Sequence, residues 1–137
     1  MNDYPGQLFF NRSDRSQNSS SYKRAFEFFN KISERDKTIS TTFVNVYELY
    51  KGAYKSRDVN LSLLKIDGVL NLFPVLSHSD DYYPLYGELS ARLEARGTPI
   101  GKFDEMIAAI AIFHDAAIVT NNISDFSKIP GLEIISH

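Results

Sequence analysis

The chain has 137 residues, of which 43 % are hydrophobic and 23 % charged, with a net charge of −2 and no cysteine. That length suits one domain with a real core, and the absence of cysteine excludes disulfides, thiolate zinc sites and a cysteine nucleophile. No apolar run approaches the roughly 18–20 residues that span a bilayer, and the opening "MNDYPGQLFF" has neither the basic start nor the long apolar stretch of a secretory signal, so no membrane association and a cytoplasmic location are expected. A slightly negative chain does not advertise nucleic-acid binding, yet it does not oppose it where a divalent cation offsets local carboxylates.

In chain order, "GQLFFN" reads as a short strand with Leu8, Phe9 and Phe10 as its apolar part. "RSDRSQNSSS" (12–21) is polar, low in complexity and read as a loop or mobile segment. Ala25, Phe26, Phe29 and Ile32 recur at helical spacing, which predicts a helix over 22–33. "KTIST" (37–41) is a short strand ending in hydroxyl residues suited to capping the helix of "TFVNVYELYKGAYK" (42–55), whose expected buried stripe is Phe43, Val46, Tyr47, Tyr50 and Ala53. A further amphipathic helix is expected over 60–70, and "LFPVLS" (72–77) is a strand that Pro74 confines to a short or edge position. In "SDDYYPLYGELSARLEARG" (79–97), Ser79 and Asp80 are candidate N-caps, Leu85, Tyr86, Leu89 and Leu93 the inward stripe, and Gly97 the stop. A helix over 103–114, a strand at "AAIVT" (116–120), a Pro130-Gly131 turn and a last strand at "LEIIS" (132–136) complete the chain. The alternation predicts an α/β fold, a three-layer α/β/α arrangement around a central parallel sheet, as one domain over 1–137 with an atypical polar segment at 11–21.

In such sheets ligands bind beyond the carboxyl ends of the strands, and several acids fall there. Asp104 opens the 103–114 helix, where the helix dipole favours negative charge. Asn122 and Asp125 follow the strand that ends at Thr120, and Glu48 lies mid-helix after the strand at 38–41. Singly, each has an ordinary reading: a helix-start acid, a cap, a turn residue, a surface glutamate. Together they are oxygen donors converging on one end of one sheet, an arrangement that calls for a cation such as Mg²⁺ or Mn²⁺, which can activate water for phosphoryl displacement.

"TTFVNVYELYKGA", followed much later by "GTPIGKFDEMIAAIAIFHDAAIVTNNISDFSKIPGLEII", resembles a PIN-domain protein of the VapC toxin type over roughly residues 38–136. The resemblance implies a metal-dependent endoribonuclease on a parallel-sheet fold, cleaving RNA phosphodiesters, held inactive by a cognate antitoxin and forming a homodimer. It places Glu48 and Asp104 on two of the family's metal-site acids and Asn122 or Asp125 on the fourth position, so that Glu48, Asp104 and Asp125 are the implied catalytic residues. The family's first strand ends in Asp-Thr-Asn. Here "LFFNRSD" puts Asn11 at the acid's position, with Asp14 the nearest carboxylate. An asparagine ligates through its carbonyl oxygen but brings no charge, so the alternative reading is an impaired PIN-like module that binds an antitoxin or partner protein.

Other residues carry ordinary readings. His78, His114 and His137 lack ligand spacing, and the ten Phe and eight Tyr are expected mostly in core packing rather than as base-stacking platforms. Lys51, Lys55, Arg57, Arg92, Arg96 and Lys102 alternate with acids and read as a solvated surface. A doubly wound phosphoacceptor domain would want adjacent acids after the first strand and a lysine after the last, and neither is evident.

Overall fold

Five short parallel strands form one sheet in the order β3-β2-β1-β4-β5. They are β1 (Gln7–Phe10), β2 (Thr38–Thr42), β3 (Val75–Leu76), β4 (Ala117–Val119) and β5 (Ile134–Ile135). Among the described residues the helices with set bounds are α1 (Phe43–Tyr54), α2 (Val59–Leu72), α3 (Tyr82–Ala95), α4 (Lys102–Phe113) and α5 (Ile123–Phe126). The computed structural model describes residues 7–10, 27 and 38–136. The segment 12–21 and the helix expected over 22–33 lie outside the described residues, except for Glu27, which is helical.

The sequence grows outward from β1 in both directions, to β2 and β3 on one side and to β4 and β5 on the other. Because parallel crossovers are right-handed, connections running in opposite directions lie on opposite faces, which gives the expected α/β/α layering. The point where the direction reverses is also where such sheets open a crevice. Pairing of Phe10 with Val119, Val119 with Ile135 and Thr42 with Leu76 keeps the carboxyl ends of the strands in line. As Pro74 predicted, β3 is a two-residue edge strand.

The core is the α4–β4 unit. Ile107, Ala108, Ala109, Ile110 and Ala111 are buried, as are Ala117, Ile118 and Val119, and α4 packs along α3. Small alanines let the helix sit close to sheet and neighbour at native packing density, while Phe9, Leu93, Phe126 and Ile129 fill the space around them. Gly97, Gly101 and Gly131 all have positive φ, which suits glycine at a helix stop, at the entry to α4 and in the turn before β5.

Two expectations are corrected. In α1, of the expected stripe Ala53 is buried and Phe43 and Val46 are half-buried, but Tyr47 and Tyr50 are exposed, as is Tyr54; Val44 and Asn45 are buried instead, and Glu48, Leu49 and Gly52 half-buried. The helix follows β2 with no loop, and its phase is set by Thr42, whose Oγ1 accepts from the backbone N–H of Asn45 at 3.2 Å and from its side-chain amide at 3.2 Å. That capping geometry outweighs amphipathicity and turns a carboxylate inward. In α3 the cap position is Asp81 rather than Ser79 or Asp80, and it makes no side-chain cap bond; Ser79 Oγ instead accepts from the Asp81 N–H at 3.2 Å. Of the expected α3 stripe, Leu93 is fully buried and Leu85, Tyr86 and Leu89 are half-buried beside a buried Tyr82.

Candidate metal centre

Three helices deliver the polar groups to the carboxyl end of the sheet. α1 supplies Glu48 from its inward face. α4 supplies Asp104 from its first turn. The turn from β4 into α5 supplies Asn122 at the cap position and Asp125 within α5. Each carrier is anchored. α1 hangs from the buried Thr42–Asn45 cap, α5 is held by Phe126 in the core, and the Asn122 N–H donates to Thr120 Oγ1 at 3.0 Å.

The entry to α4 is fixed by a residue that sequence reasoning passed over. Glu105 is buried, and its Oε2 accepts from the Ile100 N–H at 3.2 Å, closing the loop that leads into the helix through Gly101. A buried acid needs such a partner. The signal for it in sequence was a second acid beside Asp104 at the start of an otherwise apolar helix.

Asp104, Asn122 and Asp125 come together in one network. The Asn122 side-chain amide donates to Asp104 Oδ2 at 3.4 Å and to Asp125 Oδ2 at 3.2 Å. Asp125 Oδ1 lies 3.6 Å from the Lys128 ammonium, a lysine that the sequence reading did not weigh. Glu48 joins through electrostatics. Burial is the main cause that pushes its carboxyl above the ordinary glutamate range, the neighbouring Asp104 pushes it further, and Lys51 pulls it back. Its Oε1 is shut off from solvent and has no hydrogen-bond partner.

A buried carboxylate oxygen without a donor is costly. Mutual repulsion with a second carboxylate adds to the cost, and both are relieved by a cation. The donor set consists of hard oxygens, the chemistry of Mg²⁺ and Mn²⁺ sites. Among the described residues no group of three or more His, Asp or Glu side chains forms a ready metal cage. The described part of the site is Glu48, electrostatically coupled to Asp104, with Asn122 tying Asp104 to Asp125. Asn11 and Asp14, the candidates for the first acid, lie outside the described residues. His78 and His114 take other roles: His78 Nε2 pairs with Asp80 Oδ1 at 3.0 Å, and His114 Nε2 with the Tyr82 hydroxyl at 2.8 Å.

Residues 19–132 match the PIN domain. The chain belongs to the PIN-domain family. Within the family it is of the VapC type. It is 36 % identical to ribonuclease VapC2 of Rickettsia felis over 72 % of this chain and 73 % of that protein. It is 34 % identical to the tRNA(fMet)-specific endonuclease VapC of Salmonella typhimurium over 66 % of this chain and 69 % of that protein. The fold superimposes on the VapBC2 complex of Rickettsia felis bound to a promoter DNA fragment with a TM-score of 0.79, at 27 % identity over 96 % of this chain and 98 % of that one. The DNA-bound VapBC of Salmonella typhimurium gives 0.78, at 26 % identity over 95 % of this chain and 97 % of that one.

Proposed function

We propose that this PIN domain is a divalent-metal-dependent endoribonuclease, the toxin of a toxin–antitoxin pair, acting on RNA in the cytoplasm. The observation that carries the reading is the half-buried Glu48 on the inward face of α1, with a solvent-excluded, partnerless Oε1 and within electrostatic reach of Asp104. A fold tolerates such a pair when function requires it. Glu48 and Asp104 are the residues that would hold Mg²⁺ or Mn²⁺, with Asn122 and Asp125 beside them and the first-acid position falling to Asn11 or Asp14. When bound, the ion supplies charge neutralisation and activation of water for phosphodiester hydrolysis. The chain's own residues do the rest: Asn122 orients the Asp104 and Asp125 carboxylates, and Lys128 steadies Asp125. Glu105 holds the first turn of α4 in register.

The antitoxin partner is proposed on the VapC likeness and on the exposed apolar residues of the packed α1–α2 pair, Tyr50 and Tyr54 on α1 and Leu61 and Leu64 on α2. An apolar stripe of that kind on a helix pair is a protein-docking surface. A second copy of the chain is the other expected protein partner. One observation favours a weaker enzyme: the residue after β1 is Asn11, not an acid. The runner-up is therefore a catalytically impaired PIN module whose main act is binding its antitoxin.

The test is cleavage of a mixed RNA pool with added Mn²⁺ by the wild-type chain and by Asp104→Asn, each checked for folding by circular dichroism. The proposal expects cleavage that EDTA stops and that Asp104→Asn lacks while remaining folded. Cleavage surviving excess EDTA would refute metal dependence. No cleavage by the wild-type chain, together with tight antitoxin binding, would establish the impaired module.

A further inference from the structure

The two oxygens of Asp125 are both engaged from within its own segment. Oδ2 accepts from the Asn122 amide at 3.2 Å, and Oδ1 lies 3.6 Å from the Lys128 ammonium. The same Asn122 nitrogen donates to Asp104 Oδ2 at 3.4 Å. Because one nitrogen reaches both carboxylates, Asp104 and Asp125 stand no further apart than two hydrogen bonds laid end to end, a span that a hydrated divalent ion bridges. Lys128 is therefore a cation already placed on the Asp125 edge of the site. Glu48 differs: its Oε1 is shut off from solvent with no hydrogen-bond partner. Charge in the site is thus balanced unevenly, and Asp125 carries its own counter-ion.

The lysine has a fixed root and a free tip. Its backbone N–H donates to the Asp125 carbonyl at 3.1 Å, and the Ile129 N–H donates to the Phe126 carbonyl at 3.1 Å. Phe126 and Ile129 are buried in the core, so the backbone between Asp125 and Lys128 is held in place. The Lys128 side chain is 40 % exposed and that of Asp125 35 %. The ammonium is therefore hydrated on its far side, and its flexible four-carbon stem lets it leave the carboxylate. A part-exposed pair at this distance is weak. It is weak enough for a divalent ion to displace, and close enough to oppose that ion's arrival, because two cations sharing one carboxylate repel each other. Mg²⁺ and Mn²⁺ sites depend on charged oxygens, so an ion that takes Asp125 must displace Lys128 or bear its repulsion.

We propose that Lys128 is a built-in counter-cation: it holds Asp125 in the metal-free protein and competes with the divalent ion for that carboxylate, so that the chain's own lysine sets how tightly the centre takes its metal. Lys128 is a positioning residue that acts through Asp125. This role rests on the metal-dependent reading of the site and is measured without turnover. The probe is Mn²⁺ alone, titrated calorimetrically into the full chain, with circular-dichroism melts in EDTA to confirm that each variant folds.

Lys128→Met keeps the aliphatic stem and removes the charge. It is expected to tighten Mn²⁺ binding roughly 2- to 5-fold at low salt, the scale of a part-exposed ion pair, and the gain shrinks in about 0.5 M KCl as the charges are screened. Lys128→Arg, which keeps the charge, stays close to wild type. In an Asp125→Asn background most of the gain from Lys128→Met is lost, because the carboxylate under competition is gone. A gain undiminished in that background overturns the role, since the lysine would then act on the ion without Asp125. Mn²⁺ affinity that is equal or weaker in Lys128→Met also overturns it, while leaving the metal centre standing. Absence of Mn²⁺ binding by wild type and Lys128→Met alike refutes the metal reading itself, and the competition with it.

Discussion

Asn122 is the residue whose replacement most directly tests how the centre is built. Its amide donates to two carboxylates at 3.4 and 3.2 Å, both at the long end of hydrogen-bond range and only partly buried. Hydrogen bonds to charged groups contribute roughly 1.5–3 kcal/mol when short and buried, so two long, half-solvated ones are assigned about 1–2 kcal/mol together. Asn122→Ala should therefore destabilise the metal-free protein by about 1–2 kcal/mol, a fall in Tm of about 3–6 °C for a domain of this size. Asn122→Asp should cost more, because it removes the donor and places a third negative charge against Asp104 and Asp125. Mn²⁺ should discriminate the two. A cation at about 100 times its Kd returns about 2.7 kcal/mol, and Asn122→Asp, with the extra carboxylate, should gain more from Mn²⁺ than Asn122→Ala does. The assay is thermal unfolding by circular dichroism in EDTA and in a Mn²⁺ titration. If Asn122→Asp matches wild type in EDTA, or if Mn²⁺ raises the Tm of both variants equally, the carboxylates are not held as a repulsive pair by Asn122 and the reasoning fails.

Glu48 gives a pH prediction whose sign follows from its raised pKa, caused first by burial and then by Asp104. Unfolded glutamate loses its proton near pH 4.3 while the folded chain retains it, so metal-free stability falls as pH rises between the two values. Urea unfolding in EDTA should show Glu48→Gln gaining on wild type from acid toward neutral pH, and a flat difference would remove the electrostatic argument. Phe126→Ala should cost about 3–5 kcal/mol, as large core truncations do, and should also lower cleavage because Phe126, fully buried, anchors the turn that carries Asn122 and Asp125. Thermal melts and cleavage rates read both effects; loss of stability with an unaffected cleavage rate would separate α5 from the centre. Asn11→Asp should raise Mn²⁺ affinity and cleavage together, measured by calorimetry and RNA turnover. If Asp14→Ala abolishes activity while Asn11→Asp changes nothing, Asp14 holds the first-acid role.

Most of the described fold was legible because period and punctuation agreed. The α4–β4 unit reads from sequence as apolar helix, turn and buried strand, and its capping, packing and burial all point the same way. Pro74 gave the edge strand and Gly97 the helix stop for equally local reasons. The juxtaposition of Asp104, Asn122 and Asp125 was legible in the same way: polar residues just past a strand end or in a first helical turn land at the carboxyl edge of a parallel sheet. The α1 face was legible only in part: Ala53 is buried as expected, and Tyr47 and Tyr50 are not. A periodic tyrosine stripe looks like core until the phase of the helix is known, and that phase comes from the Thr42–Asn45 cap rather than from the stripe. Glu105 and Lys128 were missed because their roles lie in partners, a backbone N–H at Ile100 and the Asp125 carboxylate, that spacing alone does not reveal.

That reversed face ties the two halves of the functional reading together. Had α1 buried its tyrosines, Glu48 would sit in solvent beside Lys51, an ordinary helix acid contributing almost nothing to a metal centre. Anchored by Thr42, the helix keeps Glu48 half-buried, within electrostatic reach of Asp104, and the same phase leaves Tyr47, Tyr50 and Tyr54 on the surface. One capping hydroxyl thus fixes both the inward placement of Glu48 and the exposure of the tyrosines. A protein bound along the exposed tyrosines would be expected to stabilise the same helix phase that keeps Glu48 inward.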